Sequence, residues 1–446
     1  MSAADSTPDT SPPPDDSAAR LSPTVVRLGF VSLLTDVASD MIVPLLPIFL
    51  TTVLHASLGF VGAVDGAAET ASSLLKIVSG RLSDRVTRRK PLVVAGYTLA
   101  ALARPLVALA FSPWHVLAVR ITDRVGKGVR SAPRDAWIAS VTPPALRGRA
   151  FGLHRAMDNL GGFLGPLLGL LLHVVLGLDL RWTFALASIP GFLGVIVLLT
   201  ARDSDALAER ERDAARSPPA PPPASTALSA TALSATPLSA TPPASTPLPA
   251  GPTARAPLPR ALVLFYVVLF FFALAGSSDA FVILRAKEAG ASDTWVLLLW
   301  TGFSGMRALL ATHGSMLSDR FGRRGTLLAG WVLYALVYIA FAFVDGVPGF
   351  AVVLAVYAGF YALTEGTERA LVADLAPASA RGTAFGIFHG VIGLAALPAS
   401  LLFGAIADVT SLRTAFLIDA GIASVAALML GVLLASTRRS ATASRV

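Results

Sequence analysis

Ionisable side chains recur at helical spacing inside otherwise apolar stretches of this chain. Asp36 and Asp40 are four residues apart, as are Asp65 and Glu69, and Lys76 follows seven beyond Glu69. Arg120, Arg124 and Lys127 follow an i, i+4, i+7 pattern, and Arg130 falls near the same face. His154 and Asp158 form another i, i+4 pair, beside Arg155 and Asn159. Residues at these spacings share a helix face, so each set presents its charges in one direction. An acid whose cationic partner changes between two states can bind and release a proton. Asp40, Glu69 and Asp158 best fit that role, followed by Asp36 and Asp65. His154 is a further proton carrier, since its ordinary range lies near neutral pH. Arg124, Lys127 and Arg130 could instead grip a carboxylate or phosphate directly. The later part of the chain is sparser, offering Asp279, Arg307, Glu365, Glu368, Arg369 and His389. Ion coupling is therefore expected in the first half, with Arg124, Lys127, Arg130, Arg155, Asp279 and Glu365 as substrate or counter-charge groups. The competing reading is a paired network that merely closes a helix bundle.

A membrane is what must position these residues. The chain has 446 residues, 54% hydrophobic and 14% charged, with mean hydropathy +0.67. Soluble domains carry about 25% charge, and a larger soluble core does not explain the excess, because core size does not grow that way with length. About 20 apolar residues span a bilayer as a helix. Twelve such runs are expected, at 26–54, 57–82, 91–112, 115–138, 149–174, 182–201, 260–284, 293–316, 326–345, 349–375, 383–408 and 412–436. The fourth is too charged to qualify by hydropathy and is placed by the repeat described below. The fold class is thus all-α and integral to the membrane, twelve helices in two six-helix bundles.

The net charge of +8 sits beside the ends of these runs. Arg85, Arg88, Arg89 and Lys90 follow the second, Arg147 and Arg149 the fourth, and Arg320, Arg323 and Arg324 the eighth. Arg381 follows the tenth, and Arg438 and Arg439 the twelfth. All fall on one side if both termini are cytoplasmic, as the positive-inside rule requires. Arg285 and Lys287 are exceptions. The balance therefore reports topology, not nucleic-acid binding. With zero cysteines, disulfides, thiolate metal sites and cysteine catalysis are excluded.

The charged phrase "GRLSDRVTRRKP" at 80–91 returns as "GSMLSDRFGRRG" at 314–325. Asp84 and Asp319 are 235 positions apart, "RGRAFG" and "RGTAFG" 234, and "SDMIV" and "SDAFV" 239. Three echoes at nearly one offset mean two halves, at 25–201 and 260–437. Between them, 202–259 is a Pro/Ala/Ser/Thr-rich tether that cannot bury enough apolar surface to order itself. Residues 1–24 are a polar, Pro-rich tail, and 438–446 a short basic one.

This arrangement resembles the Major Facilitator Superfamily, over nearly all the chain outside tail and linker. The family phrase G-x-L-x-D-R-x-G-R-[RK] is matched by Gly80, Leu82, Asp84, Arg85, Arg88 and Arg89, with Thr87 in place of the second glycine. The second copy keeps Leu317, Asp319, Arg320, Gly322, Arg323 and Arg324, with Ser315 in the first glycine's place. The resemblance implies that these clusters latch the cytoplasmic side shut in one state. Antiporters of the family carry G-x8-G-x3-G-P-x2-G-G in the fifth helix. Gly152, Gly161, Gly165, Pro166 and Gly169 match, with Leu170 where the last glycine belongs. Gly161, Gly165 and Gly169 would line one face and let another helix approach closely, and Pro166 would let the helix bend. Arg124, Lys127 and Gly128 form a variant of the family's R-x-x-Q-G, with lysine for glutamine. The block "DRVGKGVRSAPRD" also resembles a poorly characterised prokaryotic subgroup.

No H-E-x-x-H, G-x-S-x-G or Walker loop is present, so an enzyme or a nucleotide-driven pump is not expected. Neither metal nor cofactor is implied. The expectation is a monomeric, multi-pass plasma-membrane antiporter exchanging a small organic solute or drug for protons. A proton symporter or exchanger for an organic anion is the alternative, and a non-transporting receptor a distant third. Ser229 lies in the tether. In a Ser229→Cys variant, an impermeant thiol reagent should leave intact cells unlabelled; labelling would overturn the topology.

Overall fold

The computed structural model describes residues 21–86, 88–143, 146–201, 258–377 and 381–443. The N-terminal tail up to residue 20, Thr87 of the first charged phrase, nearly all of the 202–259 tether and the last three residues lie outside the described residues, as do the side chains of Asp84, Arg85, Asp319 and Arg381. Every regular element described is helical: α1 Pro23–Asp40, α2 Leu58–Arg85, α3 Lys90–Ala103, α4 Pro113–Ser140, α5 Arg147–Leu170, α6 Leu180–Leu186, α7 Ser188–Thr200, α8 Arg260–Leu274, α9 Asp279–Glu288, α10 Asp293–Phe321, α11 Arg323–Phe343, α12 Val347–Leu375, α13 Arg381–Val409 and α14 Leu412–Ala443. Short π-turns at Phe49–Val53 and Leu171–Val175 close two connections.

The ends of the helices follow from their residues. At one end of the bundle, helices begin behind a capping side chain. Ser57 accepts from Phe60 N at 3.2 Å, Ser112 from Trp114 N at 3.3 Å, Asp179 from Trp182 N at 2.8 Å and Ser292 from Trp295 N at 3.4 Å. Such caps satisfy amides that the helix leaves orphaned. Trp114, Trp182 and Trp295 are exposed beside them, where an aromatic belt belongs. At the opposite end helices begin with cations: α3 at Lys90, α5 at Arg147, α11 at Arg323. A cation at a helix N-terminus opposes the macrodipole of its own helix, but Lys90 donates to the Leu199 and Ala201 carbonyls at the end of α7. We call these the capped end and the basic end. Gly322, with φ of 86°, makes the tight turn from α10 to α11, a conformation glycine adopts without penalty.

Seven stretches among the described residues are long and apolar enough to cross a membrane: Arg149–Val175, Leu180–Thr200, Arg260–Glu288, Arg323–Phe343, Val347–Leu375, Thr383–Val409 and Leu412–Ala435. The charges of α2, α4 and α10 keep those helices from qualifying by composition, although they are 28 or 29 residues long.

Two long seams join the first half to the second: α2 packs on α13, and α5 on α10. Each seam pairs the second long helix of one half with the Pro-containing fifth of the other. Glycines allow the approach. A Cβ on Gly62 would overlap the Ser400 carbonyl, and one on Gly393 the Ser73 side chain. A Cβ on Gly66 would lie 2.8 Å from Leu397 Cα, and one on Gly404 2.5 Å from the Leu58 carbonyl. Thr70 donates to the Gly393 carbonyl at 2.6 Å. At the capped end, Asp408 accepts from both Leu58 N and Gly59 N at 2.7 Å, an anion at the positive end of α2. The other seam closes there with His173 Nε2 at 3.2 Å from Asp293, which also accepts from Lys287 at 2.7 Å.

Overpacking a close helix contact costs about 1–3 kcal/mol. Gly62→Val should therefore lower the melting temperature of the detergent-solubilised protein. Gly302→Val, with nothing within 4 Å of its Cβ, should leave it unchanged. Equal effects would show that the α2–α13 approach does not limit stability.

Candidate transport cavity and its charge network

Between the halves lies a cavity of about 440 Å³. Glu69, Ser73 and Lys76 of α2 form one side. Phe272, Gly276, Ser277, Tyr334, Tyr357, Phe360, Tyr361 and Phe388 form most of the rest, with Arg307, Glu365, Glu368, Arg369 and His389 among them. The α12 wall runs from Tyr357 towards Arg369, so the space extends from mid-depth towards the basic end. One helix break faces it, at Gly276 and Ser277 between α8 and α9. The echoed Ser-Asp pair sits there and at the end of α1: α9 begins at Asp279 behind its cap Ser278, and α1 ends at Asp40. Irregular backbone at this depth is tolerated where it is covered by protein or lines a cavity.

The first-half charges form a set of local partnerships. Arg120 donates to Asp65 at 3.1 Å, and Ser278 of the second half donates to the other oxygen of Asp65 at 2.7 Å. Glu69 has Ser73 at 3.4 Å and Lys76 at 3.9 Å. His154 Nδ1 lies 3.5 Å from Asp158, while His154 Nε2 and Asp158 Oδ1 are buried without partners. Arg124 reaches Asp123 at 4.0 Å rather than any predicted acid. Arg130 turns away from the cavity and lies over the Tyr97 ring at 4.2 Å. Asp36, Asp40 and Lys127 have no ion pair among the described residues, yet Lys127 acts electrostatically on both acids.

The glycine face of α5 is seated on those two acids. A Cβ on Gly161 would lie 2.8 Å from Asp36 Cβ, and one on Gly165 2.8 Å from Asp40 Cβ. Gly169 faces Met41 and Leu297 more loosely, at 3.3 and 3.5 Å, and Gly152 meets nothing within 4 Å. Pro166 lies inside α5 without ending it. Of the charged phrases, Gly80 faces Ala132, and Arg88 is exposed. Arg89 is half-buried, with its Nε unpartnered. Arg323 donates to the Ala370 carbonyl at 2.9 Å and pairs with Asp374, tying α11 to the end of α12. Arg320 and Arg324 also make contacts.

Across the halves, Arg155 pairs with Glu365, which also has Arg369 at 3.4 Å and Arg307 at 3.7 Å. Arg307 lies 3.8 Å over the Tyr361 ring. Asp279 accepts from Tyr357 at 3.0 Å and Tyr361 at 3.3 Å.

Several of these groups escape sequence reasoning. Arg104 donates to Asp123 at 3.0 Å and to the Thr35 carbonyl at 3.1 Å, with both side chains buried. An arginine within the apolar "LAALARPLVALA" was the available signal. The aromatic wall was also missed. Tyrosines of membrane helices favour the interface, yet four of the chain's six, Tyr334, Tyr338, Tyr357 and Tyr361, lie well inside α11 and α12. The expectation of a site centred on the first half weighed charges and overlooked rings.

A polar cavity between two sets of membrane-crossing helices, sealed at one end by paired seams, defines a membrane transporter. Comparisons agree. The profile of the Major Facilitator Superfamily matches residues 28–292 and 263–445. An uncharacterised MFS-type transporter of Methanocaldococcus jannaschii is 31% identical over 416 residues, 92% of this chain and 94% of that protein. The multidrug resistance protein MdtH of Photorhabdus laumondii is 32% identical over 142 residues, 32% of this chain and 35% of that protein. The solved peptide transporter POT, in complex with sulfate, shares the fold with TM-score 0.70 at 14% identity, covering 93% of this chain and 94% of that one. The chain belongs to the Major Facilitator Superfamily. It is a multi-pass membrane transporter of a small molecule and not an enzyme.

Removing one partner of a buried ion pair strands the other charge, at a cost of about 3–5 kcal/mol. Arg104→Gln and Asp123→Asn should each destabilise the purified protein strongly. The double variant should lose less than the two single losses combined. Strict additivity in thermal unfolding would show that the pair is not a unit.

Proposed function

We propose that the protein is a proton-coupled antiporter that exports a small organic solute. Twelve spans form two six-helix bundles, 25–201 and 260–437, acting as a monomer. The tether and both termini are cytoplasmic, so the basic end faces the cytoplasm. The observation that carries this reading is the seating of Gly161 and Gly165 against Asp36 and Asp40. A helix face of the antiporter type lies against two acids, and Lys127, which has no ion pair among the described residues, acts on both as well as on Glu69.

Protons entering from outside bind Asp36 or Asp40 and cancel the attraction to Lys127. The loss of that attraction frees α5 to slide along α1, with the bend at Pro166 taking up the movement. Glu69, on the cavity wall beside Lys76, links the proton state to the substrate. Asp65 already has two donors and serves this scheme as the fixed partner of Arg120, while Asp158 keeps its looser contact with His154. Each proton entering contributes about 2.3 kcal/mol per 100 mV of membrane potential. The partial similarity to MdtH supports export. The charged phrases after α2 and α10 would hold the cytoplasmic side shut in the opposite state.

The cavity cations Lys76, Arg307 and Arg369 support a second reading, symport or exchange of an organic anion. Proteoliposomes with an imposed pH gradient separate the two by the direction of solute movement. Asp36→Asn and Asp40→Asn, singly and together, should abolish pH-driven transport while retaining exchange at equal pH. Full pH-driven transport in the double variant would remove these acids from the coupling mechanism.

A further inference from the structure

The scheme above leaves the buried carboxyl of Asp419 unused. Between Arg413 and Arg438, α14 has a single ionisable residue, Asp419. Its side chain is 1% exposed, and its Oδ2 is buried without a hydrogen-bond partner. An ionisable group at this depth costs about 2.5–3.5 kcal/mol on insertion scales, and unsatisfied buried polar atoms are rare.

The helices packed on α14 are α8, α11 and α13. From α11, Tyr334 and Tyr338 are near enough to act electrostatically on the carboxyl, the Tyr334 hydroxyl itself donating to the Ala275 carbonyl at 2.6 Å. From the break between α8 and α9, Ser277 presents its hydroxyl and its backbone. Asp279 lies beyond Tyr338 and is bonded to Tyr357 and Tyr361. The acid and imidazole of α13 point elsewhere, Asp408 to the start of α2 and His389 to the cavity. No cation faces Asp419 among the described residues. Ser277 is the link outward. Its hydroxyl lies 3.3 Å from that of Tyr338, and it lines the cavity, as does Tyr334. Tyr334 and Tyr338 are stacked at 4.1 Å and close the other side.

We propose that Asp419 is a proton-binding site of the second half, loaded from the cavity through Ser277. A cavity hydronium gives its proton to the Ser277 hydroxyl, which passes its own proton to Asp419, so the serine is regenerated and the carboxyl becomes neutral. Release runs the same steps backwards. The neutral acid removes the burden of an unpaired charge beside two tyrosines. Ser277 sits in the non-helical segment after Leu274, so a change at that break connects or disconnects the carboxyl from the cavity. This inference rests on the proton-coupling reading and adds a second titrating position to it, on the opposite half from Asp36 and Asp40.

The test uses full-length protein in proteoliposomes, with the infrared carboxylic-acid band as a readout independent of transport. Wild type should show a buried-acid band that Asp419→Asn removes, and Asp419→Glu should restore it at a shifted position. In Asp419→Asn the ratio of pH-driven transport to equal-pH exchange should fall about tenfold. In Ser277→Ala, which keeps the acid, deuterium exchange of that band should slow by about tenfold. A wild-type spectrum in Asp419→Asn, or an unchanged transport ratio, overturns the proposal. So does stimulation by a sodium gradient that Asp419→Asn abolishes, which would make the site a sodium ligand. If Asp419→Asn does not fold, an unchanged exchange rate in Ser277→Ala overturns it alone. Absence of pH-driven transport in the wild type itself defeats the antiport scheme, while the infrared band still reports separately on Asp419.

Discussion

The hydrocarbon core of a membrane hydrates neither charges nor free backbone groups, and the rest of this structure depends on that constraint. Each charge at depth must find a protein partner, and each helix break must be covered. The first half meets the demand with closed local pairs. Arg104 is held by Asp123 and a backbone carbonyl, and Asp65 by Arg120 and a serine from the other half. The second half covers its break with tyrosine hydroxyls on Asp279. Among the described residues Asp36, Asp40, Lys127 and Asp419 have no ion pair, and they are the ones on which the proposed mechanism is built.

Lipid also removes the driving force that packs helices in water, because the tails are as apolar as leucine. What remains is close contact and the few polar bonds that survive. The α2–α13 seam uses both. Its glycines bring backbones together along the helix, and Asp408 fastens the capped end by accepting two amides of α2. The α5–α10 seam closes at the same end with His173, Asp293 and Lys287. These polar bonds lie beside an apolar cluster shared by both halves, with Leu46 and Ile48 from the first and Phe281 and Ile283 from the second.

The two halves divide the work. The first half carries acids and bases at helical spacing, gathered where α5 rests on α1. The second half supplies the aromatic wall, with Phe272 stacked on Trp331 at 4.0 Å and Trp331 donating to Glu368 at 3.3 Å. A space with rings on one side and both signs of charge within it can hold an amphipathic solute without demanding one geometry. Arg155 and Glu365 bridge the halves beside that space, so the contents of the cavity and the contact between the halves share one set of side chains.

Much of this was readable before any coordinates. Composition alone requires a membrane, and the offset between Asp84 and Asp319 reveals the repeat. The i, i+4 spacing of Asp36 and Asp40 puts both acids on one face, and the 161–165–169 glycine spacing makes a smooth face on α5. These are local properties, set by helix periodicity and by the price of charge in lipid. What the sequence could not decide was which face meets which. Arg124 turned to its neighbour Asp123, Arg130 to Tyr97, and Arg155 to Glu365 some 210 positions away. Gly161 and Gly165 proved to be contact points with the acids, whereas a Cβ on Gly152 would meet nothing within 4 Å. Helix rotation and tilt are fixed by packing among many helices at once, and no window of residues along one helix contains that information. The tyrosine wall and Asp419 were hidden for the same reason. A ring or a lone acid in an apolar run looks like lipid-facing or core filler until the neighbours that surround it are known.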